Sequence, residues 1–218
     1  MNTRTVRIAL TATIGAALAL PAPAPASHQY DDVVGCAAKR VRKAQIVARS
    51  AEARVFRKLT RPSGGPGGSV AYACLLRSGP ITLLKGSSFG GGQMHPILAG
   101  RYVAYQHMFS ENEDFEESGL IVLDMKTGRI SFEAPRDNTN LSEWVVKRNG
   151  SVAWTTYAYE GGDPGGLYKL DSTTGGAPQR LASPAANPRS LRLNSDRRTL
   201  LWTEGTQGES TERSAPIN

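Results

Sequence analysis

Residues 144–181 read WVVKRNGSVAWTTYAYEGGDPGGLYKLDSTTGGAPQRL, and the rest of the chain can be aligned to this segment. It predicts four short strands, because runs of branched and aromatic residues alternate with turns rich in Gly, Pro, Asn and Asp. The first two strands meet at Asn149-Gly150, and the last two meet at the turn from Asp171 to Gly176. A longer, glycine-rich loop from Tyr159 to Gly166 separates the second strand from the third. The stretch is therefore predicted to be one antiparallel meander.

The same meander recurs along the chain, and an aromatic residue marks its second strand in every copy. These aromatics are spaced 49, 49 and 48 residues apart and are Phe56, Tyr105, Trp154 and Trp202. A Leu-Asp-x-x-Thr-Gly turn also recurs, from Leu123 to Gly128 and from Leu170 to Gly175. In such a turn the Asp side chain accepts a backbone N–H two residues on, and the Gly takes the left-handed conformation. A four-stranded repeat of about 48 residues is typical of a propeller blade.

These repeats predict an all-β fold of β-propeller-like meanders, with three complete four-stranded blades and a partial fourth. The fourth copy begins at Arg189, and its sequence becomes polar after the second strand. Residues 214–217 supply at most one short third strand. A closed ring then needs a borrowed strand, for which Val33-Val34 or Val41 is a candidate. Without that strand the sheets form an open arc.

The first 26 residues are predicted to be a signal peptide. Arg4 and Arg7 precede an apolar run from Ile8 to Leu20, and Ala24-Pro25-Ala26 offers the small residues of a cleavage site. The run is shorter than the roughly 20 residues of a membrane span. Cleavage after Ala26 leaves an N-terminal lead, 27–44, and a propeller-like domain, 45–218. The mature chain is predicted to be secreted or periplasmic, without a transmembrane span.

Cys36 and Cys74 are the only cysteines in the sequence. An oxidising compartment permits them to pair, and we predict a disulfide that ties the N-terminal lead to the first blade. Cys74 takes the place that Leu123 and Leu170 hold in later copies, which predicts an inward-facing side chain. The alternatives are a lipoprotein cleavage box ending at Cys36 and a metal site, for which two lone cysteines give no tetrahedral set.

The chain has a formal net charge of +7, and the segment from Lys39 to Arg61 accounts for the excess, with nine Lys or Arg against one acid, Glu52. One interpretation is attraction to a polyanion such as an anionic envelope polymer. The other is a solvated face, because Arg54, Arg57 and Lys58 flank or alternate with apolar residues. Aromatic residues do not interleave with these cations as base stacking requires, so the pattern does not favour nucleic acid.

The segment from Gly86 to Gly90 matches the G-x-S-x-G pattern of a hydrolase nucleophile, with Ser88 at its centre. That pattern requires a strand that feeds a helix, whereas further glycines follow here, so a loop between blades is favoured. Glu160, Asp163 and His95 are the remaining acid–base candidates, but they assemble into no catalytic set. We predict no catalytic residue, and a small secreted hydrolase or lyase is the alternative function.

An acidic loop from Glu111 to Glu117 surrounds Phe115 in the second blade. Clustered carboxylates suit Ca²⁺, but the Asp-x-Asp-x-Asp-Gly register of a calcium loop is missing, so a solvated loop is favoured. Neither His95 nor His107 has the i, i+4 partner of a helical zinc site. The sequence predicts no metal and no cofactor.

The blade pattern resembles that of TolB-type periplasmic β-propellers, from about Gln45 to Thr203. The resemblance rests on the Leu-Asp-x-x-Thr-Gly turns and on the Val-Ala-aromatic runs at 103–105 and 152–154. It implies a protein-binding platform of the cell envelope. The chain departs from the family in having fewer blades and in lacking the Asp-Gly turn before the second strand. That turn is replaced by Ala99-Gly100, Asn149-Gly150 and Asp196-Arg197.

Strand parity predicts where a partner binds. In a four-stranded meander, the loops between second and third strands leave from the same end as the connections between units. These segments are long and variable, as expected where a rigid scaffold presents recognition elements. The residues assigned to this face are Arg61, His95, Phe115, Tyr159 and Asp163. The predicted function is an exported binding module for a protein or an envelope polymer.

Overall fold

The computed structural model describes residues 31–34, 36, 40–60, 68–77, 81–84, 95–112, 115–134, 139–158, 165–172, 176–183, 188–205 and 208–218. Within these ranges the chain forms strands, turns and irregular segments, and no residue lies in a helix. This part of the chain therefore contains no helix that could cross a membrane. The predicted signal peptide, 1–26, lies outside the described residues.

The described strands form four antiparallel sheets in chain order. Sheet 1 contains β1 (Asp31–Val34), β2 (Arg40–Arg49), β3 (Ala53–Thr60), β4 (Gly68–Leu75) and β5 (Thr82–Leu83). Sheet 2 contains β6 (Ile97–Ala99), β7 (Tyr102–Asn112), β8 (Phe115–Asp124) and β9 (Arg129–Glu133). Sheet 3 contains β10 (Thr139–Val146), β11 (Val152–Ala158), β12 (Gly165–Leu170) and β13 (Gln179–Ala182). Sheet 4 contains β14 (Arg189–Leu193), β15 (Thr199–Glu204) and β16 (Thr211–Pro216).

The all-β prediction is confirmed, and consecutive strands pair in every sheet, so each sheet is a meander. Sheets 2 and 3 are the predicted four-stranded units. The prediction of three complete units with a partial fourth needs correction, because the fourth copy forms a sheet of its own. Its third strand, β16, runs from Thr211 to Pro216 and pairs with β15 along its whole length. Sheet 1 carries β1 as an extra strand beside β2, so β2 to β5 correspond to the first to fourth strands of the other sheets and are counted that way below.

The apolar core of the described residues lies between neighbouring sheets. One cluster joins sheets 1 and 2 and contains Tyr105, a second joins sheets 2 and 3 and contains Trp154, and a third joins sheets 3 and 4 and contains Trp202. All three aromatics lie on the second strand of their sheet and are buried. Each therefore projects toward the preceding sheet, which explains why the repeat requires a large apolar residue there.

Phe56 holds the same position in sheet 1, which no other sheet precedes within the described ranges. Its face is covered by the predicted disulfide between Cys36 and Cys74, whose Cα atoms are 5.8 Å apart. The two cysteines and Ala44 pack with Phe56, and the rings of Phe56 and Tyr72 stack with their centroids at 5.5 Å. The disulfide-bonded lead thus caps the outer face of the first sheet.

The described residues of the N-terminal lead do not supply a strand to sheet 4. Instead β1 pairs with β2, with Val33 opposite Val41, so both candidate donors belong to sheet 1. Among the described residues, apolar clusters join each sheet to the next, and none joins sheet 4 back to sheet 1. The sheets form a propeller-like series without an observed ring closure.

The Leu-Asp-x-x-Thr-Gly turn has the predicted geometry where the structure describes it in full. The Asp124 carboxylate accepts the N–H of Lys126 at 2.9 Å, two residues on. Gly128 has a φ of 69° and donates its N–H to the Asp124 carbonyl at 2.8 Å. This turn joins β8 to β9, and it orients both strands for pairing.

The antiparallel order gives the series two different ends. The turn end carries the short turns between the first and second strands of each sheet, at 50–52, 100–101, 147–151 and 194–198. The loop end carries the connections between second and third strands and between sheets. The first strands of neighbouring sheets contact each other, β2 with β6, β6 with β10 and β10 with β14. They lie side by side along the middle of the series.

Candidate functional site

A cavity of about 750 Å³, here called the loop-end pocket, receives residues from the first strand of every sheet. Val47 of β2, Ile97 of β6, Leu141 of β10 and Leu191 of β14 form its apolar part, and Gln106 of β7 and Ser142 of β10 also line it. His95 and Pro96, which precede β6 at the loop end, complete this side. Apolar walls with a few placed polar groups are typical of sites that bind ligands or partner side chains.

Trp144 of β10 contributes the largest side chain to this pocket. The residue is 7% exposed, and its indole Nε1 has no hydrogen-bond partner among the described residues. Buried indole N–H groups usually have an acceptor, because an unpaired buried donor destabilises the fold. The nitrogen itself is fully buried, so its N–H is not available to a group that enters the pocket.

Two ionisable residues also line the loop-end pocket, and they differ in their surroundings. The Glu143 carboxylate accepts the N–H of Leu191 at 2.7 Å, which fastens β10 to β14. His95 is exposed, has a φ of 38°, and meets the Trp144 ring edge-on with centroids 6.4 Å apart. Glu143 is thus engaged in joining sheets 3 and 4, whereas His95 stands at the edge of the pocket.

Of the five residues predicted for the binding face, the structure describes some and not others. His95 is described in full and lines the loop-end pocket. Phe115 is the first residue of β8, at the loop end, and its side chain lies outside the described part. The prediction of a loop from Glu111 to Glu117 was therefore wrong in extent, because β7 and β8 pair as far as Asn112 opposite Phe115. Arg61, Tyr159 and Asp163 lie outside the described residues altogether. The assignment of these four residues to a partner site therefore stays a prediction.

The described residues do not contain the set of side chains that the alternative function, a hydrolase or lyase, would use for catalysis. Ser88 and Glu160 lie outside the described residues, as does Asp163. Within the described ranges, no group of three or more His, Cys, Asp or Glu side chains is placed to hold a metal ion. In the loop-end pocket, the described polar residues are His95, Gln106, Ser142 and Glu143, whose carboxylate is engaged by a backbone N–H.

A second cavity, here called the turn-end pocket, has a volume of about 880 Å³ and lies between the first turns of all four sheets. Its lining comes from 50–52, 98–100, 146–149 and 193–198. The turns of sheets 1 and 3 are joined across it by an ion pair, in which Arg148 donates to the Glu52 carboxylate at 2.8 Å. Four segments far apart in sequence thus form one site.

Cations outnumber carboxylates in the turn-end pocket. Its basic residues are Lys147, Arg148, Arg197 and Arg198, and its acids are Glu52 and Asp196. The pKa of Asp196 is lowered, mainly because its carboxylate accepts the N–H of Arg198 at 2.8 Å. The hydroxyl of Thr199 also donates to this carboxylate, at 3.0 Å. Asp196 therefore remains an anion whose oxygens are already engaged within its own turn.

Sequence reasoning assigned no function to the turn-end pocket. Each contributing turn is short and polar, and nothing in a single turn indicates that three others lie beside it. The one available signal was the departure from an Asp-Gly turn at Asp196-Arg197, since Arg197 takes a position that glycine would fill more easily.

No family model matches the chain, and no curated protein matches it. Among solved structures, the chain is similar to an endo-arabinase from Bacteroides thetaiotaomicron VPI-5482, with 10% sequence identity and a TM-score of 0.34. The alignment covers 89% of this chain and 78% of that chain. At this level of similarity nothing about activity is transferred, and the propeller-like arrangement rests on the sheets and clusters described above.

Proposed function

We propose that this chain is an exported, TolB-like β-propeller module that binds a protein or an envelope polymer at its loop end. One observation carries the proposal. The first strands of all four sheets line a single pocket toward the end from which the long connections leave. Variable loops presented around a pocket on a rigid scaffold are the usual arrangement of a recognition surface.

Export is supported by two features of the chain. The N-terminal residues have the pattern of a signal peptide. The Cys36–Cys74 disulfide fits an oxidising compartment, because disulfides are rare in reducing ones. A binding module of this kind meets its partner in the periplasm or outside the cell.

The proposed contact residues are Phe115 and Tyr159 as aromatic anchors, with Arg61, Asp163 and His95 around them. Aromatic anchors at the centre of an interface commonly carry most of its binding energy. His95, at the edge of the loop-end pocket, offers a polar contact beside the apolar lining residues. The partner is therefore expected to insert an apolar group and to place a hydrogen-bonding group at His95.

Replacing Phe115 and Tyr159 together with alanine is expected to reduce partner capture by at least about tenfold. Tyr159 is predicted to lie in a loop and Phe115 is the first residue of β8, so neither lies inside a strand and the melting temperature should stay nearly unchanged. The measurement uses the immobilised mature chain and an envelope extract, with retained proteins and polymers identified by mass spectrometry. A purified candidate is then titrated against both forms of the chain.

The matched control is the double variant Lys126→Ala/Arg129→Ala, which alters exposed side chains at the turn end. It should capture the partner as the unmodified chain does. If the partner is still captured without Phe115 and Tyr159 but is not captured by this control variant, then the partner binds at the turn end and the proposal is wrong.

The alternative function, a secreted hydrolase, is tested by separate measurements of substrate turnover and of serine labelling. A panel of ester, peptide and glycoside substrates is expected to show no turnover by the mature chain. Covalent labelling of Ser88 by an active-site phosphonate would favour the alternative, because only an activated serine reacts at an appreciable rate.

A further inference from the structure

The turn-end pocket contains cations that the described part of the chain does not neutralise. Arg148 is paired with Glu52, and the Asp196 oxygens accept hydrogen bonds within their own turn. The ammonium of Lys147 donates to the backbone carbonyl of Ile217 at 2.6 Å, which fixes its position without neutralising its charge. Within the described ranges, no ion pair joins Lys147 or Arg197 to a carboxylate.

Arg197 holds its place in this pocket against a conformational preference. Its φ is 54°, in the left-handed region, and its N–H donates to the Asn194 carbonyl at 2.8 Å. Gly150 holds the matching place in the turn of sheet 3, with a φ of 93° and an N–H that donates to the Lys147 carbonyl at 3.0 Å. Glycine enters this region freely, whereas other residues do so at an energetic cost. Backbone strain of this kind is often found at functional positions.

We propose that the turn-end pocket binds a small anion that carries two or more phosphate or carboxylate groups. A volume of about 880 Å³ lies within the range of ligand pockets. Guanidinium groups donate paired hydrogen bonds to either oxyanion, and an ammonium adds a point charge. The basic residues of the pocket lie on turns of two sheets, Lys147 and Arg148 on one and Arg197 and Arg198 on the other. A ligand with separated acidic groups therefore spans them better than one with a single charge.

The site is independent of the loop-end partner, because the two pockets use opposite ends of the first strands. Arg197→Gly should therefore leave partner capture unchanged. A variant that loses anion binding but captures the partner normally affects only the turn-end site. A variant that loses capture but binds the anion normally affects only the loop-end site.

The test is a calorimetric titration of the mature chain at low ionic strength with pyrophosphate and, separately, with citrate. Saturable binding of at least one of them is expected, and the anion preferred identifies the ligand as phosphorylated or carboxylated. Arg197→Gly should weaken this binding by about tenfold, the loss expected for one charge-assisted hydrogen bond. The melting temperature of this variant should stay unchanged or rise, since glycine suits the turn.

Two further variants keep the result interpretable. Arg198→Gln alters an exposed side chain of the same pocket and should also weaken binding. Arg129→Gln removes the same charge from an exposed position outside the pocket and should leave affinity unchanged. The proposal is overturned if neither anion binds saturably, or if Arg129→Gln weakens binding as much as Arg197→Gly, because net charge alone would then explain the attraction.

Discussion

Replacing Trp154 with alanine is expected to lower the free energy of unfolding by about 3–5 kcal/mol. The side chain is 3% exposed and belongs to the cluster that joins sheets 2 and 3. Its ring stacks on Tyr168 with centroids 5.7 Å apart and lies 5.1 Å from the Phe132 ring. Truncation removes these contacts and leaves a cavity between two sheets that are held together mainly by apolar packing.

Urea unfolding monitored by far-ultraviolet circular dichroism measures this loss. Tyr157 provides the control on the same strand, because its side chain is 53% exposed, and Tyr157→Ala should change the free energy of unfolding by no more than about 0.5 kcal/mol. Equal effects of the two substitutions would contradict the assignment of Trp154 to the core. A fully red-shifted native emission spectrum, with every tryptophan open to quenchers, would contradict it as well.

The second strand of each sheet was predictable because its aromatic residue meets a simple physical demand. Tyr105, Trp154 and Trp202 each fill the space between their own sheet and the preceding one, so the residue type repeats with the blade. Phe56 obeys the same rule although a disulfide-bonded lead takes the place of a sheet. Burial between layers leaves a periodic trace that sequence alone reveals.

A strand that is held mainly by backbone pairing has a weaker pattern of apolar residues in the sequence and is harder to predict. The residues of β16, from Thr211 to Pro216, are almost all exposed and show no apolar alternation. They pair with β15 through the backbone, and Ile217, just beyond the strand, is the buried residue that anchors this end in the core between sheets 3 and 4. The sequence therefore indicated at most a short strand at 214–217.

The two candidate sites also differ in how far the sequence predicts them. The loop end was predictable as a location, because loop length and glycine content are visible in the sequence and strand parity assigns them to one end. The turn-end pocket was not, since it depends on four turns that are separated by whole sheets in the sequence. Only the packing of the first strands brings Glu52 within hydrogen-bond distance of Arg148, 96 residues away.

Removing the disulfide by the double substitution Cys36→Ser/Cys74→Ser is expected to cost about 4 kcal/mol of unfolding free energy. The bond spans a sequence separation of 38 residues, so its loss enlarges the unfolded ensemble substantially. Both cysteines are also buried against Phe56 and Ala44, and serine hydroxyls in their place would lack the apolar contacts. Intact mass with and without reduction, followed by alkylation, verifies the bond before unfolding is measured.

The control for this prediction is chemical reduction of the unmodified chain, which breaks the bond while keeping the sulfur atoms in the core. If chain entropy dominates, reduction should reproduce most of the loss in unfolding free energy. If the apolar contacts of the two cysteines with Phe56 contribute strongly, the serine variant should lose more unfolding free energy than the reduced chain. Because the bond closes the outer face of sheet 1, amide exchange should accelerate first in β3 and β4, before sheets 2 and 3 respond. Two thiols that alkylate without reduction, or a mature N-terminus lipidated at Cys36, would show that the exported protein does not contain this bond.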